Sequence, residues 1–318
     1  MEGKKTYKAH VMVLAYHGQG HINPMVQFSK RLASKGMKVT VSAMLSTTKA
    51  MKSASSSVIF ESIYDDVTEG GVGAQGGFKA FLDRFEASGS QNLTELIKKQ
   101  EISEYPVKCL VYDANLPWAL AIAKNFAIPG LPPPKLPNVM SLGAVTGKHS
   151  PIIKQICKQF DNIENAEWVL FNSFDKLEEE VVKWMSNLWT VMNIGPTVPS
   201  VYLDNRVEND NDYGFNMYKP STEACMQWLN TKETGSFLDQ MTNAYLVERV
   251  WGVGVQPKEV EQNRTTAKEI GRCINEVMNG EEIRNKALEW KSLAKEAIDE
   301  NGSSDTHIDE IISRIVAL

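Results

Sequence analysis

From residue 11 to residue 126, short apolar runs alternate with stretches of helical periodicity, and no other feature constrains the fold as much. Residues 11–16, 38–45, 58–63 and 107–112 read as strands. Residues 25–32, 78–99 and 116–126 read as helices, the second broken near Gly89. The run 107–112 is almost continuously apolar, as a parallel strand covered on both faces should be. Such alternation predicts a doubly wound α/β fold with a parallel sheet. A fifth strand is due after Ala127-Ile-Pro-Gly130, yet Leu131-Pro-Pro-Pro-Lys-Leu-Pro137 follows, and prolines cannot donate to a sheet ladder. The alternation resumes with strands at 168–172 and 191–194 and helices at 151–160 and 176–189.

The first strand and helix are joined by His17-Gly18-Gln19-Gly20-His21-Ile22-Asn23-Pro24. Pro24 suits a first helical position, where its missing N–H costs nothing, and Asn23 can cap. Ligands of open α/β sheets bind outside the carboxyl ends of the strands, so His21 is a candidate proton acceptor. Spacing alone makes it equally a polar turn residue beside a cap. Asp113 ends another strand and, on spacing alone, is better read as the cap of the helix containing Pro117. A dinucleotide turn, and with it a nucleotide-cofactor oxidoreductase, would need a third glycine where Asn23 stands.

The 318 residues leave room for two domains. A net charge of -5 gives no electrostatic case for nucleic acid, and no apolar run is long enough for a transmembrane segment. Lys4 and Lys5 before a short apolar stretch imitate a signal peptide, but His10, His17 and the lack of a small-residue cleavage site favour a first strand. Cys109, Cys157, Cys225 and Cys273 are widely spaced, which fits reduced thiols in the cytoplasm and no metal site. Residues 196–220, rich in Pro, Asn, Asp and Tyr, read as a linker. Beyond it helices are expected at 223–229, 243–250, 266–278, 282–299 and 306–316, with one short strand at 252–255. Gly302 should stop the penultimate helix and Asp305 cap the last.

Six segments in order resemble the plant UDP-dependent glycosyltransferases: Gly-Gln-Gly-His-Ile-Asn-Pro (18–24), Val111-Tyr-Asp-Ala-Asn-Leu-Pro-Trp118, Asn172-Ser-Phe-Asp-Lys-Leu-Glu178, Ile194-Gly-Pro-Thr-Val-Pro-Ser200, Cys225-Met-Gln-Trp-Leu229, and Asp239-Gln240 with Asn243-Ala244. The resemblance implies a GT-B fold, two Rossmann-like domains facing a cleft. It divides this chain into an acceptor-binding domain at 1–195, a linker at 196–220 and an incomplete donor-binding domain at 221–318. It implies an inverting transfer of glucose from UDP-glucose to a hydroxyl or carboxyl of a small hydrophobic acceptor. No metal or resident cofactor is needed, the UDP-sugar being a co-substrate, and a monomer is expected. His21 matches the general base and Asp113 the carboxylate that orients it. Asp239 and Gln240 match the pair that binds the donor sugar. Gly20, Gln19 and His17 are expected contacts of acceptor or donor, although His17 stands where relatives commonly carry Ser and is better read as facing solvent. Tyr16, Phe81, Phe85 and Trp118 are candidate pocket walls or plain sheet–helix packing.

Other family features are missing from the sequence. The donor box should hold a Trp that stacks on uracil, a His-Cys-Gly-Trp-Asn-Ser run for the phosphates and a Glu for the ribose, and none is present. The strand and pocket-lining helix due after Gly130 are missing too. Both losses have sharp edges with family-like flanks, which points to excised segments. The alternative to a transferase is therefore an inactive, truncated member that acts as a small-molecule binding module.

Overall fold

The computed structural model describes residues 6–44, 48, 57–64, 77–128, 130–131, 158–160, 162–211, 213, 245–258, 260–261 and 264–318. Five parallel strands form the main sheet: β1 (His10–Leu14), β2 (Lys38–Met44), β3 (Ile59–Tyr64), β4 (Val107–Tyr112) and β5 (Gly130–Leu131). Their order is β3-β2-β1-β4-β5. Helices α1 (Gln19–Ser34), α2 (Gly77–Glu101) and α3 (Trp118–Asn125) connect β1 to β2, β3 to β4 and β4 to β5, as the alternation predicts. Downstream, β6 (Val169–Phe171) and β7 (Val191–Asn193) flank α4 (Glu179–Met185) and pair in parallel as a separate sheet.

Three local expectations are corrected. Helix α1 starts at Gln19, so Pro24 lies inside it and Asn23 does not cap it; Gly18, in extended conformation, is the cap residue. Pro24 is the sixth residue of the helix, past the first turn, so its missing N–H leaves out the i→i−4 bond that would reach Gly20 O. Helix α2 runs unbroken through Gly89. A Cβ there would meet the Tyr64 ring at 2.8 Å and Trp118 at 2.9 Å, so this glycine is a point of close packing, not a break. A fifth strand does follow Ile128; among the described residues it is two residues long and pairs through Leu110–Gly130 and Val111–Leu131.

The chain divides into two compact units. The first comprises residues 1–136, 154–217 and 294–318. Its sheet is covered on one side by Val26, Phe28 and Leu32 of α1 and on the other by Phe85, Leu93 and Ile97 of α2. The last helix, α7 (Ser303–Ala317), joins this core through Ile308, Ile311, Ile312 and Ile315. That i, i+3, i+4, i+7 stripe buries roughly 1.5–3 kcal/mol per side chain. Gly302 is the cap residue of α7, and Asp305 caps nothing: it lies within the helix and pairs with Lys35 at 2.8 Å. Part of the expected linker is also packed here, with Leu203 and Val207 buried.

The second unit comprises residues 137–153 and 218–293. Its described elements are a single helical turn at Leu246–Val250, a hairpin of β8 (Val260–Glu261) and β9 (Arg264–Thr265), helix α5 (Ala267–Asn279) and most of α6 (Glu281–Ile298). Residues 252–255, expected as a strand, form none; the extended segments come several residues later and pair antiparallel. Helix α5 is capped by Thr266, whose hydroxyl accepts from Glu269 N. Glu269 is the buried residue of this unit among those whose burial is described. Its carboxylate receives Arg272 at 2.6 Å and Lys258 N at 2.8 Å, and these bonds hold its pKa down at about 2.

Candidate active site

The carboxyl ends of β1 and β4 lie side by side, and each releases one member of a dyad. The ladder between them extends one residue past the strands, because Asp113 N donates to Leu14 O at 2.9 Å. That bond fixes where the Asp113 side chain leaves the sheet. On the β1 side the chain turns at Gly18 into α1, with His21 and Ile22 N–H both donating to Gly18 O. His21 therefore sits in the first turn of α1. A Cβ on Gly18 would lie 3.0 Å from His21 Cδ2, so a residue without a side chain lets the imidazole fold over the turn.

His21 Nδ1 and Asp113 Oδ2 are 2.7 Å apart. An ionised carboxylate only accepts, so Nδ1 carries the hydrogen and Nε2 is left with a lone pair. Asp113 is buried and His21 partly so. The other Asp113 oxygen accepts from Asn115 N at 2.9 Å and Asn115 Nδ2 at 3.0 Å. Asp113 is thus no helix cap: Pro117 is the cap residue of α3, without a side-chain bond.

Two hollows flank the dyad. One, of about 140 Å³, opens beside Gly20, His21 and Asp113 and is walled by Met25, Phe28, Val111, Leu170 and Ile194. The other, of about 20 Å³, is bordered by Tyr16, Phe85, Asn115, Trp118 and Lys158. Tyr16 stacks obliquely near His21, with ring centroids 5.0 Å apart. Burial, helped by the Asp113 charge, pushes its phenol up to about 12. His17 is packed and not solvent-facing: its ring lies 4.2 Å from Tyr16 and 5.4 Å from Phe85. Burial and the neighbouring His21 hold its pKa below the ordinary histidine value. Gln19 is half-buried and Gly20 exposed at the start of α1. Asp239 and Gln240 lie outside the described residues, as does the side chain of Phe81. Among the described residues no cluster of His, Cys, Asp or Glu could hold a metal ion, and no helix is long and apolar enough to cross a membrane.

No protein-family model matches the chain. UDP-glucosyl transferase 74CD1 of Saponaria officinalis is 32% identical to it, with 98% of this chain and 99% of that protein covered. The chain belongs to the plant UDP-glycosyltransferases. Mogroside I-E synthase of Siraitia grosvenorii is 28% identical over 96% of this chain and 98% of its own length. In fold, the structure is similar to Os79 of O. sativa in complex with UDP, with a TM-score of 0.77 at 22% identity over 96% of this chain and all of that one. It is also similar to a Polygonum tinctorium UDP-glucosyltransferase capable of glucosylating indoxyl, with a TM-score of 0.72 at 16% identity. These neighbours share the GT-B fold, here with the C-terminal Rossmann-like domain incomplete. The alignment with the Saponaria enzyme runs over 467 positions, and this chain has 318 residues. Since both proteins are covered almost end to end, about a third of the positions are internal gaps in this chain. Family membership makes the chain a transferase by descent.

Of the residues singled out from sequence, the structure brings His21 and Asp113 into contact and places His17, Gln19 and Gly20 around them. Sequence reasoning missed Asn115. The signal was there in the Asp-x-Asn spacing, since an Asp side chain commonly accepts from the backbone N–H two residues on.

Proposed function

We propose that the site transfers glucose from UDP-glucose to a hydroxyl or carboxyl group of a small lipophilic acceptor, with inversion at the anomeric carbon. The dyad carries this reading. His21 Nε2, left as an acceptor by the Nδ1–Asp113 contact of 2.7 Å, takes the acceptor proton as the oxygen attacks. Asp113 holds the tautomer and stabilises the imidazolium that forms, the base-and-orienter logic of hydrolytic triads. Tyr16, Phe85 and Trp118 offer an aromatic wall for the acceptor beside the base. His17 narrows that wall by packing on Phe85. Asp239 and Gln240 are proposed to hold the sugar hydroxyls, and a soluble cytoplasmic monomer is the proposed working form. The test is glucoside formation from UDP-glucose and 2-naphthol by the intact chain. Product is expected from the unaltered protein, with a loss of at least roughly 10²-fold in His21→Ala, in line with the usual worth of a general base. No product from a folded sample would count against transfer.

The internal gaps favour a second reading. A base has nothing to act on unless the donor is held in line with the acceptor oxygen. A chain without the uracil shelf and phosphate loop would keep a lipophilic acceptor and do no transfer. Calorimetry separates the two: micromolar UDP binding supports the transferase, and 2-naphthol binding without UDP binding supports the module.

A further inference from the structure

We infer that Asn115 is a positioning residue of the dyad and sets which face of residue 113 is shown to His21. This rests on the reading of His21 as base. Asp113 has two carboxylate oxygens, and the structure gives them different work. Oδ2 meets His21 Nδ1 at 2.7 Å. Oδ1 accepts from both nitrogens of Asn115, the backbone at 2.9 Å and the amide at 3.0 Å. Two donors converging on one oxygen fix the carboxylate about its last torsion, a rotation that is otherwise broad. The orientation of the Asn115 amide follows from chemistry, because only its NH₂ end can face a carboxylate. Its Nδ2 lies 3.5 Å from His21 Nδ1, too far for a good bond and donor against donor. The amide therefore acts on the imidazole through Asp113 and not directly. Asn115 is buried at 9% exposure, so water competes little for either bond.

This arrangement has a consequence that simple packing would lack. In Asp113→Asn the new amide must satisfy the same two donors, so its oxygen turns to Asn115 and its NH₂ turns to His21. The imidazole then has to accept at Nδ1 and carry its hydrogen on Nε2, the tautomer that cannot act as base. Asn115 thus supplies the selectivity for a carboxylate at position 113.

The measurement is ¹⁵N NMR of the full chain with labelled histidine, held at a pH where imidazoles are neutral, with His21 assigned by loss of its signals in His21→Gln. The unaltered protein is expected to show His21 with hydrogen on Nδ1. Asp113→Asn should move it to Nε2. Adding Asn115→Leu to Asp113→Asn should restore at least a two-fold larger Nδ1–H fraction, because the side-chain donor is gone. Asn115→Ala, which also lacks a side-chain donor, should restore a similar fraction and serves if the leucine does not fold. An Nδ1–H fraction in the double variants no larger than in Asp113→Asn would overturn the role of Asn115. So would Asp113→Asn leaving the tautomer as it was while Asp113→Leu shifts it. If Asp113→Leu also changes nothing, the dyad itself fails, and with it the base reading. None of these readouts depends on glucose transfer.

Discussion

His10 and His21 lie eleven positions apart and show how surroundings decide what an imidazole does. His10 is fully buried in β1, its Nδ1 donating to Tyr105 O at 2.8 Å and its Nε2 accepting from Thr40 Oγ1 at 2.9 Å. Both nitrogens are used inside the protein, so it has nothing to offer a substrate. Burial, with Lys38 nearby, lowers its pKa from 6.5 to about 4. The unfolded chain therefore binds a proton that the folded one refuses between about pH 6.5 and 4. Stability is full above the unfolded pKa and falls as pH drops through this window, by about 3 kcal/mol for this group. Urea unfolding at pH 7.5 and pH 4.5 should show the loss, and His10→Gln, which cannot titrate, should lose less between the two. An equal loss in both proteins would rule out His10 as its source. In sequence the two histidines look alike, each beside an apolar run. The glycines around His21 were the legible difference. The polar partners of His10 were not legible, since Thr40 and Tyr105 come from distant parts of the chain.

At the scale of elements, α1 does two jobs with its two ends. Its first turn presents His21; its second half is tied down by charge. Lys30 reaches Asp210 at 2.5 Å, Arg31 reaches Asp204 at 2.5 and 3.1 Å, and Lys35 reaches Asp305 and Asp309 at 2.8 and 2.7 Å. Burial would raise the Asp204 carboxyl, but the bonds from Arg31 and Ser200 outweigh it and keep it below the usual carboxylate range. Lys30 and Asp210 are both nearly inaccessible. Removing one partner leaves a buried charge unpaired, so Lys30→Met should cost about 3–5 kcal/mol. Lys286→Met, at an exposed pair on α6, should leave stability nearly unchanged, because water and salt screen such pairs. Chemical unfolding of both variants checks the contrast, and equal effects would mean that the buried pair adds nothing special. This strap also explains where the sequence misled. Residues 196–220 read as linker because their composition is polar and proline-rich. In the structure two acids of their described part, Asp204 and Asp210, face basic residues of α1. Helical periodicity can find the apolar stripe of α7 but carries no information on which unit the stripe will join; Asp305 on Lys35 and Ser304 on Gly195 O at 2.7 Å settle that in three dimensions.

Across the whole molecule, apolar burial is unequally shared. Every core cluster among the described residues lies in the first unit. In the second, Ile274, Val277 and Met278 of α5 and Leu288 of α6 are exposed, although α5 is strongly amphipathic. An amphipathic helix is made to cover something, and among the described residues of this unit the only strands are the two-residue β8 and β9. Short helices draw most of their stability from such packing and little from propensity. Hydrogen exchange should therefore split the chain. Amides of β1, β4 and α7 are expected to exchange only through global opening, and those of α5 at least roughly 10²-fold faster, through local opening. Mass-spectrometric exchange on peptides covering 10–14, 107–112, 267–279 and 303–317 reads this directly. Slow exchange in α5, matching β1, would mean that the second unit has a core of its own and would strengthen the transferase reading over the binding module. Fast exchange would place the weakness in the part of the chain proposed to bind the donor. His21 and Asp113 would then stand preformed on a stable scaffold while the surface proposed to present the UDP-sugar remained locally open, and UDP affinity, not the chemistry of the proposed base, would limit what the chain can do.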